Sequence, residues 1–370
     1  MSSTSEVIQL TFTANTSPMS KAIVILNYNG KQHLQTYLPS VVEYSPGWTI
    51  FVADNASTDS SISFLKEHYA QIQIIELNQN FGFAGGYNEA LQQLAGQFEF
   101  YFILNSDVRL SPNWDTPLLD FIQANPEVAA VQPQVLSDRD HTLFEHAGAA
   151  GGYLDSLYFP FCRGRLFETV ETNHGQYDSV QEVTWVSGAA MLIRAQDFHE
   201  AAGFDAAFFA HMEEIDLCWR LKKANYKIMV CPESTVWHVG GGTLQAESPR
   251  KVYLNFRNSL STLLKNKETA FSAILTVYIR LLLDAVAGLM FLTKGKFSHI
   301  FAIAKAHWHF FAGLGRDWKK RNTNQKLIKA LAFDKNPTLN SKGIYNKSIV
   351  FQHFARKIDK FSDLKAEAKS

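Results

Sequence analysis

Three cysteines in 370 residues, Cys162, Cys218 and Cys231, are too few and too far apart for a disulfide framework or a zinc site. A reduced, cytosolic compartment is the simplest fit. An excess of one charge is missing too: 35 Lys and Arg balance 35 Asp and Glu, which removes the electrostatic argument for a nucleic-acid partner. The balance hides an asymmetry, because charges beyond about residue 290 are mostly Lys and Arg. Residues 1–20, MSSTSEVIQLTFTANTSPMS, have neither the basic start nor the apolar run of a signal peptide, and read as a disordered leader. A G-x-G-x-x-G after the first strand is absent, which argues against a Rossmann dinucleotide site. The absence of any G-K-[S/T] excludes a Walker P-loop. Internal repeats are absent as well.

What is present is apolar sequence cut by polar clusters. Hydrophobic residues make up 46% of the chain, enough for one large domain or two smaller ones. "KAIVILNYNG" (21–30), "WTIFVADNASTD" (48–59), "IQIIELNQN" (72–80) and "FEFYFILNSDV" (98–108) each read as a strand ending in polar residues. Helical stretches separate them, which is the βαβ signature of an α/β fold with a mostly parallel sheet. Ser57 or Thr58 stands where a cap for the helix "SSISFLKEHY" is expected. Residues 128–136 suggest a fifth strand, 137–182 loops with short strands over a site, and 227–243 an edge strand followed by a glycine-rich loop.

Open α/β sheets bind ligands beyond the carboxyl ends of their strands. Four polar clusters there, 27–30, 54–59, 78–86 and 105–107, are therefore a candidate binding edge. Turn chemistry alone explains any one of them. Gly82, Gly85 and Gly86 permit close backbone approach by a ligand. Asp107, a carboxylate at a strand end, suits Mg2+ or Mn2+, which take one or two carboxylates together with phosphate oxygens and water. His238, between an apolar strand and three glycines, suits a metal or phosphate ligand or a structural histidine. In "HMEEIDLCWR", Asp216 faces Arg220 four residues on, with Glu213 on the same side, so an ion-paired helix face accounts for that pair. Glu214 is turned roughly 100° away and is placed to act as a general base.

The ordered segments "VILNYNG", "VADNASTD", "NFGFAGGYNEAL", "FILNSDV", "WVSGAAMLIR", "EEIDLCWRLKKANYKI" and "VWHVGGGT" resemble family 2 glycosyltransferases of the GT-A fold, in the rhamnosyltransferase-like branch, over about residues 21–260. The resemblance implies transfer of a sugar, with inversion, from a nucleotide-diphosphate donor such as dTDP-rhamnose or a UDP-sugar to a saccharide or lipid-linked acceptor, in cell-surface polysaccharide synthesis. It implies that Asp54 holds the nucleobase and ribose beside Asn29 and Asn55, and that Asn80, Gly82, Gly85, Gly86, Asn88 and Asn105 shape the donor pocket. Asp107, with Mg2+ or Mn2+, matches the last acid of the family's Asp-x-Asp-like turn, and Glu214 falls at the catalytic base. Two positions depart from the pattern. Asn105 replaces the first acid of that turn, and Glu214 stands where Asp is usual, which keeps Glu213 and Asp216 as alternative bases.

The expected organisation is a leader (1–20), a catalytic domain (21–250), an amphipathic helical region (251–332) and a basic tail (333–370). The run "ILTVYIRLLLDAVAGLMFL" (274–292) is nearly long enough to span a bilayer, but Arg280 and Asp284, placed to pair with each other, make spanning costly. A helix lying on an anionic membrane surface is expected instead. Lys294, Lys296, Lys305, Arg316, Lys319, Lys320 and Arg321 follow it, with Trp308 and Trp318 among them. Two other readings stand beside the enzyme. One is a non-catalytic nucleotide-sugar-binding or membrane-associated scaffold. The other is a sugar-phosphate nucleotidyltransferase, which would want a basic Gly-rich loop after the first strand that "NYNGKQH" does not supply.

Overall fold

In the computed structural model, residues 20–145, 148–240, 248–333 and 340–364 are described. The leader over 1–19, the glycine-rich loop beyond residue 240 and parts of the tail lie outside them. Strands β1 (Lys21–Asn27), β2 (Thr49–Asp54), β3 (Gln73–Glu76) and β4 (Phe100–Asn105) are linked by α1 (Lys31–Tyr44), α2 (Ser61–His68) and α3 (Gly82–Gln93). Then come β5 (Val108–Leu110), α4 (Asp115–Ala124) and β6 (Val128–Ser137). Four short strands, β7 (Gly152–Leu154), β8 (Pro160–Cys162), β9 (Arg165–Leu166) and β10 (Thr169–Val170), form a separate antiparallel sheet. The chain re-enters the main sheet through β11 (Gln181–Glu182), β12 (Ala190–Arg194) and, after α5 (Ala195–Glu200) and α6 (Glu213–Lys223), β13 (Lys227–His238).

Among the described residues the main sheet runs β11-β13-β6-β12-β4-β1-β2-β3, with β5 added along β13. β1 to β4 are mutually parallel, and β12 lies antiparallel between β4 and β6. The sheet is thus mostly parallel, as expected, with antiparallel insertions. β13 is not an edge strand: β6 pairs along nearly all of it and β11 covers only two of its residues. Its twelve residues are long enough to reach past the common edge, which carries His238 beside Val108.

The strands are buried on both faces, hence their unbroken apolar runs. Ala22 and Val24 pack into one core with Tyr87 of α3 and Leu217 of α6. Ile23 and Ile25 pack into the other with Leu38 of α1 and Leu118 of α4. Ser57 and Thr58 do not cap α2. Asp59 does the local work, accepting from the Ser61 backbone N–H at 3.0 Å, while the Ser57 hydroxyl accepts from Asn27 Nδ2 and the Asn29 backbone.

Helices α7 (Pro249–Asn266), α8 (Ala270–Thr293), α9 (Phe297–Ala312) and α10 (Leu314–Leu331) follow. α7 is continuous with the main core through Leu260, Leu263 and Leu264. Arg280 and Asp284 are both buried but do not pair with each other. Arg280 donates to the carbonyls of Leu157 and Tyr158 and to Ser259, and Asp284 takes His307 at 3.0 Å. The outer side of α8 is apolar and exposed. Several of the trailing basic residues are turned inward: Lys320 to Asp205, and Arg321 to the carbonyls of Leu264 and Glu268. The tail returns to the small sheet. Ile344 bridges Leu154, Ile349 N–H donates to Asp155, and after α11 (Ile349–Arg356) Phe361 packs among Tyr153, Phe161 and Tyr177.

Candidate functional site

Parallel register brings Asn27 level with Asp54, and Asp54 level with Glu76, so the polar clusters do converge on one sheet edge. Asp54 is buried and both its oxygens are occupied: Asn27 Nδ2 donates to Oδ1 and the Ser57 N–H to Oδ2, each at 2.8 Å. Its carboxylate therefore shapes the turn facing Asn29. Asn29 itself, at φ 51°, accepts from the N–H groups of Thr58 and Asp59. Asn55 clamps the next turn, donating to Asn80 Oδ1 (3.1 Å) and the Gly82 carbonyl (2.9 Å) and accepting from Phe81 N–H.

The glycines are needed for packing. Gly82 sits at φ +73°, and a Cβ there would lie 2.5 Å from the carbonyl oxygen of Phe209. At Gly86 a Cβ would lie 2.8 Å from Leu26, and at Gly85 2.9 Å from Phe81. These two glycines let α3 close against β1 and its own first turn, which is a correction to reading them as ligand-facing. The same holds for Asn88, whose amide is spent on both backbone groups of Phe204.

Asp107 is buried with its Oδ1 3.1 Å from His238 Nε2, and Asn105 Nδ2 lies 3.5 Å from the same nitrogen. On the far side of the ring, Nδ1 is 3.4 Å from Glu145 Oε2. Burial by itself would strip the proton from His238, but the two flanking carboxylates outweigh it and hold the imidazole near a pKa of about 10. Burial would likewise raise Asp107, and the His238 charge and hydrogen bond turn the shift downward. The imidazolium is itself the cation between these carboxylates, and a divalent ion on Nε2 would displace its proton. A carboxylate behind a histidine is the arrangement that orients a metal-bound imidazole. Asp107 and Nε2 of His238 fit a divalent ion as two protein ligands. Among the described residues there is no cluster of three or more His, Cys, Asp or Glu side chains that would hold an ion unaided.

The carboxylates of α6 divide sharply. Asp216 is spent on packing: Arg220 Nε (3.1 Å), Lys265 Nζ (2.9 Å) and Asn266 Nδ2 (2.6 Å) occupy both oxygens. That removes it as an alternative base and bears out the ion pair with Arg220. Glu213 is not part of that pair. It is buried with Oε2 unpartnered, and burial together with the Glu214 charge raises its pKa well above the carboxylate range. Glu214 is half-buried, its Oε2 is also buried and unpartnered, and burial lifts its pKa to about 7. It is the one of the three poised to exchange a proton near neutrality.

The approach to this pair is strained. Phe209, His211 and Met212 all have positive φ (67°, 71° and 77°), costing on the order of 1–3 kcal/mol each. α7 holds the strain in place. Asn258 Nδ2 donates to the carbonyls of Phe208, Ala210 and His211, and Arg257 donates to those of Ala207 and Phe208. From the other side the Phe209 carbonyl accepts from Phe83 and Ala84 at the start of α3.

Contacts join the two halves of the site. A Cβ on Gly188 would lie 3.8 Å from Glu214 Cβ, and the next residue, Ala189, accepts from the Asn105 backbone N–H, beside His238. Cys162 feels the charges of both Glu145 and Glu214. Sequence reasoning missed Glu145, Arg257 and Asn258. None lies in a chemistry-bearing motif, and the signal in "NFRNSL" is only an amide on the inner face of a helix.

Residues 22–179 match the model for glycosyl transferase family 2. The N-acetylglucosaminyl-diphospho-decaprenol L-rhamnosyltransferase of Mycobacterium tuberculosis is 26% identical over 230 residues, 58% of this chain and 75% of that protein. Rhamnosyltransferase WbbL of Escherichia coli is 22% identical over 215 residues, 57% of this chain and 80% of that protein. Among solved structures, GalNAc-T7 with UDP, GalNAc and Mn2+ aligns with a TM-score of 0.51 at 15% identity, covering 67% of this chain and 48% of that one, a likeness of fold.

Proposed function

We propose, from the match of residues 22–179 to glycosyl transferase family 2, that the chain transfers a rhamnosyl or hexosyl residue, with inversion, from a nucleoside-diphosphate sugar to a lipid-linked saccharide at a membrane surface. The observation that carries the reading is the adjacent Glu213–Glu214 pair, each with an unpartnered oxygen, held on a strained loop near the Asp107–His238 cluster. The names of the similar rhamnosyltransferases support rhamnosyl transfer, and one of them, an N-acetylglucosaminyl-diphospho-decaprenol L-rhamnosyltransferase, supports a diphosphate-linked lipid acceptor.

Asn29, Asp54, Asn55, Asn80, Gly82 and Asn105 form the edge that receives the donor. Glu214 accepts the proton of the acceptor hydroxyl. The freed oxygen attacks the anomeric carbon opposite the diphosphate, the anomeric C–O bond breaks, and its electrons leave with the nucleoside diphosphate. Asp107 and His238 hold the site for Mg2+ or Mn2+, which supplies Lewis-acid stabilisation of the departing phosphate when bound. Glu145 fixes the His238 ring from behind. Burial and the Glu214 charge favour the protonated form of Glu213, so it does not compete for the acceptor's proton.

Donor hydrolysis and transfer to a lipid-linked acceptor, with and without Mn2+, test the assignment. Glu214→Gln is expected to lower transfer by roughly 100-fold or more while nucleotide-sugar binding persists, and Asp107→Ala to abolish the metal response. Full transfer by both variants would overturn it. Nucleotide-sugar binding with no turnover in the unaltered chain would favour the scaffold reading instead.

A further inference from the structure

Between α7 and α9 lies a cavity of about 620 Å3. Its lining combines three cations, Arg250, Arg257 and Lys305, with Phe209, Tyr253 and Phe301. Arg257 is committed to the carbonyls of Ala207 and Phe208. Arg250 and Lys305 are exposed and have no carboxylate partner among the described residues; they lie over the rings of Phe209 (4.9 Å) and Tyr253 (5.4 Å). Unneutralised cations gathered over aromatic faces in a concave site call for an anion with several oxygens. The first residues of α7 form part of the same wall, which adds the positive end of a long helix.

One wall of the cavity leads to the chemistry and the other to an apolar surface. Phe209 opens the strained loop that ends at Glu213, and its carbonyl is bonded to Phe83, whose ring lies against Gly188 beside Glu214. Phe301, 75% exposed, belongs to an outward stripe on α9 with Phe297, Trp308 and Phe311. α8, packed beside α9, also exposes Phe271, Tyr278, Leu282 and Leu289. An anionic headgroup in the cavity would therefore have a hydrocarbon tail along α8 and α9 and its sugar directed toward Glu214.

We propose that this cavity is the acceptor subsite, binding the diphosphate of a polyprenyl-diphosphate-linked saccharide on Arg250 and Lys305. It rests on the lipid-linked acceptor reading above. The test compares flotation of the full chain with neutral phosphatidylcholine vesicles containing either a polyprenyl diphosphate or phosphatidylglycerol at matched charge, with inorganic diphosphate as a soluble competitor. The diphosphate lipid should be retained more tightly than phosphatidylglycerol and be displaced by the competitor. Arg250→Glu and Lys305→Glu should each weaken retention by about tenfold, the loss of a charge-assisted contact, and raise KM for the lipid-linked acceptor more than KM for the donor. Lys326→Glu, an exposed charge elsewhere on α10, should leave retention unchanged. Equal retention of the two lipids, or equal loss in all three variants, would overturn the subsite. Thermal shift of the unaltered chain by nucleotide sugars reports separately on the donor site, so failure of the subsite is distinguishable from failure of the glycosyltransferase reading.

Discussion

At the scale of single residues, Glu213 and Glu214 carry an opposition between function and stability. Both carboxylates have raised pKa values in the fold, Glu214 to about 7, so the folded chain binds more protons than the unfolded chain between about pH 4.5 and 7. Stability from these groups is present below that window and is lost as pH rises through it. Glu214→Gln should therefore raise Tm by a few degrees at pH 8 and by much less at pH 4.5, a difference readable by calorimetry. The groups facing Glu214 are Glu213 beside it, Cys162 from β8 and Cys218 one turn on. Burial keeps both thiols protonated, so the rising limb of kcat/KM should follow Glu214 with a midpoint near 7. An activity profile flat from pH 5 to 8 would remove Glu214 as the base.

At the scale of elements, the strained loop before α6 is a joint between α3, α6 and α7. The three left-handed residues persist because surrounding donors over-determine them. Asn258 supplies one amide to three carbonyls, so Asn258→Ala leaves buried acceptors without a donor and should cost about 2–3 kcal/mol in urea unfolding. If Glu214 is the base, transfer should fall further than donor binding, because the loop leads directly into Glu213 and Glu214. Equal stability and full activity in Asn258→Ala would show that the loop holds itself. This is also where the sequence was least legible. The Gly82–Asn88 run invites a ligand-facing interpretation, yet a side chain at Gly86 would meet Leu26 and Asn55. Only the approach of α3 to β1 distinguishes a glycine that admits a ligand from one that admits a neighbouring helix.

At the scale of the whole molecule, α8 meets the length and apolarity needed to cross a membrane. Its two charges are instead buried, Arg280 against the carbonyl of Tyr158 and Asp284 against His307 of α9, which makes it a helix packed on the protein with one apolar side outward. Phe271, Phe301 and Trp308 are each more than 70% exposed on that side. Replacing Phe301 and Trp308 together by Asp should lower partition onto anionic vesicles by roughly 100-fold, about 3 kcal/mol of lost apolar burial. Tm in solution should change little, because neither ring supports the core. Unchanged vesicle binding would mean that this face meets something other than lipid.

The amino-acid sequence by itself determined the alternation of strands and helices, the common edge at which strands end in polar residues, and Asp107 and Glu214 as the carboxylates to examine. Local pattern suffices for these, since apolar runs and polar strand ends are properties of neighbouring residues. Tertiary structure decided which carboxylates are free. Asp216 and Glu214 are two residues apart on one helix, but Lys265, Asn266 and Arg220 surround the first, and the buried Oε2 of the second has no hydrogen-bond partner. It also joined Glu145 to His238 and Asn258 to the strained loop, pairs 93 and about 50 residues apart. Burial and partnership depend on what the fold brings alongside, and no local pattern carries that information.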